Sequence, residues 1–102
     1  MKVNVSVVST AIATKPFNTL DMAKLIQPYT GRKLVEDVQG SVTAGEFSTI
    51  IALSIGLHLT GKYTKAQIEF NGAAIPANVT LANAGIKEGS DVVYRYYVNM
   101  DL

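Results

Sequence analysis

Side chains able to do chemistry are few in this chain, and their spacing does not gather them. Histidine occurs once, at His58, so neither a His–His metal pair nor a Ser–His–acid triad with a spare orienting group can be assembled. A lone imidazole at the end of an apolar helix is expected to pack or to answer the helix dipole. Glu36-Asp37 and Glu88…Asp91 are the carboxylate groupings. The first pair points to opposite faces of an expected strand and the second flanks a turn, so neither makes an acid–base pair. The glycines Gly40, Gly45, Gly56, Gly61, Gly72, Gly85 and Gly89 form no phosphate-cradling loop with a following lysine. Turns and helix ends account for most of them, and Gly56 is expected to mark close helix–sheet packing. No cysteine is present, which removes disulfides, a thiol nucleophile and thiolate-held metals. The expectation is a non-enzymatic protein with no cofactor and no metal.

One cluster mixes aromatics with a cation. Tyr94-Arg95-Tyr96-Tyr97 is the kind of run that builds nucleic-acid-stacking sheets. Strand alternation, however, turns Tyr94 and Tyr96 inward and leaves Arg95 and Tyr97 outside. Nine basic against eight acidic residues give a net charge of +1, so no global field draws the protein to nucleic acid or to an anionic membrane. An exposed Tyr/Arg pair beside Val93 and Glu69 also suits a protein interface, where such residues concentrate. A solvated sheet face without a partner reads equally well.

The elements that must position these residues follow from periodicity. At 102 residues, 48% hydrophobic and 17% charged, residues 1–102 form one globular domain. Val3, Val5 and Val7 alternate with polar neighbours as a first strand. Asn4, Ser6 and Ser9 interrupt the apolar run that a signal peptide would need, so a cytoplasmic location is expected. After a Lys15-Pro16 turn, Thr19 could cap a short helix over 19–29, with Met22, Leu25, Ile26 and Tyr29 on one stripe. Residues 32–38 alternate as a second strand. Thr43-Ala44-Gly45-Glu46 has capping-box spacing and predicts a long helix through Phe47, Ile50, Ile51, Ser54, Ile55 and His58, closed by Gly61. Leu53 and Leu57 widen its apolar stripe until a second covering element is expected. The run 49–59 falls short of the roughly 20 residues of a membrane span. Residues 67–70 form another strand ended by Asn71-Gly72, a strong hairpin signal. Ala73 to Ile75 then make a brief edge strand stopped by Pro76. Residues 91–98 are the last strand, with Val92, Tyr94, Tyr96 and Val98 on one face.

This order resembles the ubiquitin-like β-grasp family, most closely over residues 68–98. Ile68 and Phe70 look like the core pair before the Asn71-Gly72 turn, Leu81 and Ile86 like the apolar plugs of the crossover, and Lys87-Glu88-Gly89-Ser90 like the turn into the last strand. The resemblance implies an α+β fold, a mixed sheet packed on one main helix with first and last strands pairing in parallel, and an inserted short helix near 19–29. It also implies work by surface contact with protein partners, further copies of the chain included. Conjugated and sulfur-carrier members end in a flexible Gly-Gly tail, whereas this chain ends Val98-Asn99-Met100-Asp101-Leu102, so conjugation and sulfur carriage are not expected. Glu69 and Arg95 stand where ubiquitin carries apolar recognition residues, which argues against the usual ubiquitin-reading domains. Small bacterial ubiquitin-like subunits of secretion machinery, and phage relatives, share the missing tail. The expected function is thus a small adaptor or subunit of a larger assembly with Glu69, Val93, Arg95 and Tyr97 as interface residues. The alternative is a nucleic-acid-associated regulator that uses Arg95 and Tyr97 with Lys62 and Lys65.

Overall fold

In the computed structural model, residues 1–16, 18–26, 28–59 and 61–101 are described, with the side chains of Asp21, Leu25 and Ile26 outside that description. The elements run β1 (Lys2–Ile12), α1 (Thr19–Ile26), β2 (Lys33–Asp37), α2 (Ala44–Ile55), β3 (Tyr63–Phe70), β4 (Ala73–Ala74) and β5 (Asp91–Asn99). The five strands form one sheet in the order β2-β1-β5-β3-β4. β1 and β5 pair in parallel through the centre, from Asn4↔Asp91 to Ile12↔Asn99, and the other pairings are antiparallel. This is the β-grasp topology expected from the sequence.

One face of the sheet is packed and one is open. Val3, Val5 and Val7 of β1, Ile68 of β3, and Val92, Tyr94, Tyr96 and Val98 of β5 are buried with Phe47, Ile51, Ala52 and Ile55 of α2. Leu81 and Ile86 of the crossover join the same cluster, and Phe70 packs on it half-buried. The turn before the crossover has the conformation its residues favour: Asn71 and Gly72 take φ of 53° and 80°, which asparagine and glycine accommodate more readily than other residues. The crossover is tied to the loop before α2 by Leu81 N–H to the Val42 carbonyl at 2.9 Å and Ala82 N–H to Gly40 at 3.0 Å.

α2 starts where the capping box places it: Glu46 N–H donates to Thr43 Oγ1 at 3.2 Å and Thr43 N–H to Glu46 Oε1 at 3.2 Å. Its end departs from expectation. The helix stops at Ile55, and Gly56, at φ 76°, is the left-handed cap. Gly56 N–H reaches the Leu53 carbonyl at 3.3 Å and Leu57 N–H the Ala52 carbonyl at 2.9 Å, the paired bonds of a Schellman ending. His58 therefore lies beyond the helix. Gly56 marks no close packing, since a Cβ there would meet nothing, whereas one at Gly45 would stand 3.1 Å from the Ala77 carbonyl oxygen. Leu53 is 71% exposed, so among the described residues no second element covers that side of the helix. Leu57, just past the helix end, is buried in the core cluster.

α1 forms close to its expected start, but its cap is Asn18, whose side chain accepts from Leu20 N–H at 2.8 Å; Thr19 is the first helical residue. Of the expected stripe, Leu25 and Ile26 lie outside the described side chains, and Tyr29 falls in the turn after the helix. There its ring meets Tyr63 edge-on at 5.6 Å and Tyr96 at 5.9 Å. Such aromatic pairs anchor the connection to the sheet.

Candidate functional site

The open face of the sheet carries the sequence-predicted interface residues together. In β5, Val93, Arg95 and Tyr97 alternate with the buried tyrosines. The antiparallel register sets Glu69 opposite Val93, Gln67 opposite Arg95 and Lys65 opposite Tyr97. From the other side, parallel pairing brings Val8 level with Arg95 and Thr10 level with Tyr97. A single strand thus has polar neighbours from two others, because the side chains of paired residues share a face.

Arg95 is the hub of this face. Its Nε donates to Glu69 Oε2 at 2.7 Å and its Nη2 to Glu69 Oε1 at 3.3 Å, a forked contact. Nη1 donates to Thr10 Oγ1 at 2.9 Å, and Gln67 Nε2 holds the same carboxylate at 2.6 Å. The Arg95 hydrogen bond, helped by Gln67 and by the guanidinium charge, holds the Glu69 carboxyl below its usual range against a desolvation effect of opposite sign. Glu69 in turn raises Arg95. Beside this network the Lys65 ammonium sits 4.6 Å from the centroid of the Tyr97 ring, a cation–π contact.

Such a constellation can recognise but has little means to catalyse. The carboxylate is committed to the guanidinium, and His58 is exposed beyond α2 rather than beside it. Among the described residues no group of three His, Asp or Glu side chains is placed to hold a metal. Among the described residues no helix is long and apolar enough to cross a membrane. Sequence reasoning named Glu69, Val93, Arg95 and Tyr97, which the register sets on one face, but did not name their neighbours Thr10 and Gln67. The polar alternation of Ser6, Val8 and Thr10 together with central pairing of first and last strands was the signal that could have found Thr10.

Other concave places are lined differently. A groove of about 420 Å³ runs over Asn4, Ser6, Lys33, Val35 and Asp91 on the same open face. A second, of about 240 Å³, lies at the end of α2 between Leu53, Leu57, His58 and Leu59. A smaller pocket of about 140 Å³ sits between Ser48 of α2 and Gln67 of β3.

No protein-family model and no curated protein matches the sequence. Among solved structures, a ubiquitin of Caldiarchaeum subterraneum superposes on 93% of this chain and 90% of its own, with a TM-score of 0.61 and 17% identity. The likeness is one of fold. It agrees with the ubiquitin-like β-grasp fold reached from residues 68–98 and with the parallel β1–β5 pair.

Proposed function

We propose that this chain is a non-catalytic ubiquitin-like interaction module, a small adaptor or subunit of a larger cytoplasmic assembly of the secretion or phage type. Its binding surface is the open sheet face formed by Val93, Arg95, Tyr97 and Glu69. The observation that carries this reading is the fixed geometry of Arg95. Its guanidinium is held by Glu69 and Thr10 on regular strands, so little side-chain freedom remains to be lost when a partner docks. Tyrosine and arginine at the centre of an open face are the residues that dominate protein interfaces.

Nucleic acid fits the same face less well. The Arg95 charge is answered by Glu69, and the Lys65 ammonium is directed over Tyr97, which leaves a weak field for phosphate. The test is affinity capture from the native host with wild-type protein and with a Tyr97→Ala/Arg95→Glu variant. Proteins retained by the first and lost by the second support the reading. Equal retention by both would remove the surface from consideration, and capture of nucleic acid with a steep loss as salt rises would favour phosphate binding instead.

A further inference from the structure

The two edges of the sheet are unlike. β4 is two residues long, Ala73–Ala74, and Pro76 follows after Ile75, a common way to blunt an edge. At the other edge β2 runs for five residues, Lys33–Asp37, with neither proline nor glycine. Backbone pairing with β1 fixes which of its groups are spent. Val38 N–H donates to the Met1 carbonyl and Val7 N–H to the Arg32 carbonyl, and the register keeps the sum of paired residue numbers constant. Hydrogen-bonded and non-hydrogen-bonded pairs alternate in an antiparallel ladder. Leu34 and Glu36 therefore bond inward to Val5 and Val3, whereas Lys33, Val35 and Asp37 turn their amides and carbonyls away from the sheet. Val35 is 59% exposed, and Lys33 and Asp37 are exposed beside it.

We infer that β2 is a self-pairing edge and that a second copy of this chain docks there by antiparallel strand addition. The strand's own sequence selects this occupant. In a two-fold pair centred on Val35, Val35 faces Val35 of the other copy and Lys33 faces Asp37 twice over, so both charge pairs attract. All three side chains share the open face, the same three residues present the free backbone groups, and the contact is isologous as two-fold symmetry requires. Asp37 Oδ1 also lies 3.2 Å from the Met1 nitrogen, which leaves its other oxygen for the lysine. A five-residue strand pair is small beside the roughly 1,200–2,000 Å² of a stable interface. The dimer is accordingly reversible, and the Arg95/Tyr97 surface on β5, two strands in from this edge, stays open to other partners.

Analytical ultracentrifugation of the whole chain from about 10 μM to about 1 mM spans the range such an interface implies. Wild type is expected to associate with rising concentration. Lys33→Asp places Asp against Asp, and Asp37→Lys places Lys against Lys. Each is expected to weaken self-association at least about tenfold, while an equimolar mixture of the two regains it, because every pair is then attractive. Regain on mixing also shows that both variants fold. A wild type that stays monomeric, variants that associate like wild type, or a mixture that gains nothing would each overturn the inference. Amide hydrogen exchange in wild type decides independently: slowing at Lys33, Val35 and Asp37 with concentration supports it, and unchanged rates sink it. Arg95→Glu/Tyr97→Ala is expected to leave self-association unchanged, which separates this edge from the proposed partner surface.

Discussion

β5 presents two different surfaces from one run of nine residues. On its inner face Val92, Tyr94, Tyr96 and Val98 are at most 2% exposed and pack on α2. On its outer face Val93, Arg95 and Tyr97 are half-buried and are held by directional contacts with Glu69, Thr10 and Lys65. Burial of apolar area is the larger contribution to stability, whereas a partly exposed ion pair contributes little once its solvation is counted. The inner face therefore specifies the fold, and the outer face is free to vary.

The contrast is broken most directly by truncating one ring on each side. Phe47→Ala, beneath the inner face, is expected to cost about 3–5 kcal/mol, and Tyr97→Ala on the outer face less than about 1 kcal/mol. Chemical denaturation of both variants checks this, and equal losses would refute the division of labour.

Alkali probes the inner face. Burial pushes the Tyr94 and Tyr96 phenols up to about 12, partly offset by Ser48 and Ser9 respectively. Below pH about 10 the phenol is neutral in both folded and unfolded chains and its contribution is fully present. Between about 10 and 12 the unfolded phenol ionises first, and stability falls by on the order of 2 kcal/mol per tyrosine. Thermal melts across this range, with absorbance at the tyrosinate band, give the check; a flat profile would mean the rings are wet.

Acid probes the outer face. The Glu69 carboxyl is lowered in the folded chain, so its contribution is present above the ordinary carboxylate range and is lost as pH falls through the depressed value. Glu69→Gln is expected to cost about 1 kcal/mol or less, a loss that shrinks as salt is added. Melting curves of variant and wild type should differ at neutral pH and converge at acid pH. The smallest effect is expected at Tyr94→Phe. Its hydroxyl is buried near Ser48 but makes no hydrogen bond of ordinary geometry, so removing it should leave stability unchanged or raise it by up to about 1 kcal/mol, as read from the denaturation midpoint.

Local chemistry was readable wherever one short segment supplies both partners of a contact. Thr43 and Glu46 make their own capping box, Asn71-Gly72 its own turn, and strict alternation assigns Tyr94 and Tyr96 to the core. Elements became illegible where the partner is remote or where two neighbours compete. Gly56 and Gly61 are both plausible helix stops. The earlier one wins because Leu57, turned back by the Schellman bonds, is buried in the core, which an extension of α2 would forfeit. Asn18 takes the cap from Thr19 because its carboxamide reaches the amide two residues on. β3 begins at Tyr63, earlier than its alternation shows, because the strand carries a register shift between Tyr63 and Lys65 that breaks the period of two.

By itself the sequence determined the inventory of strands and helices, the inner and outer faces of β5, and the absence of cysteine chemistry, since each depends on residue type and on periods of two or 3.6 residues. Only the tertiary structure decided that Thr10 meets Arg95, that Tyr29 reaches Tyr63 and Tyr96, and that β2 is left as an open edge. Those outcomes depend on which strands lie side by side and in what register. That choice is set by the packing of residues more than 80 positions apart, such as Thr10 and Arg95, and no local period encodes it.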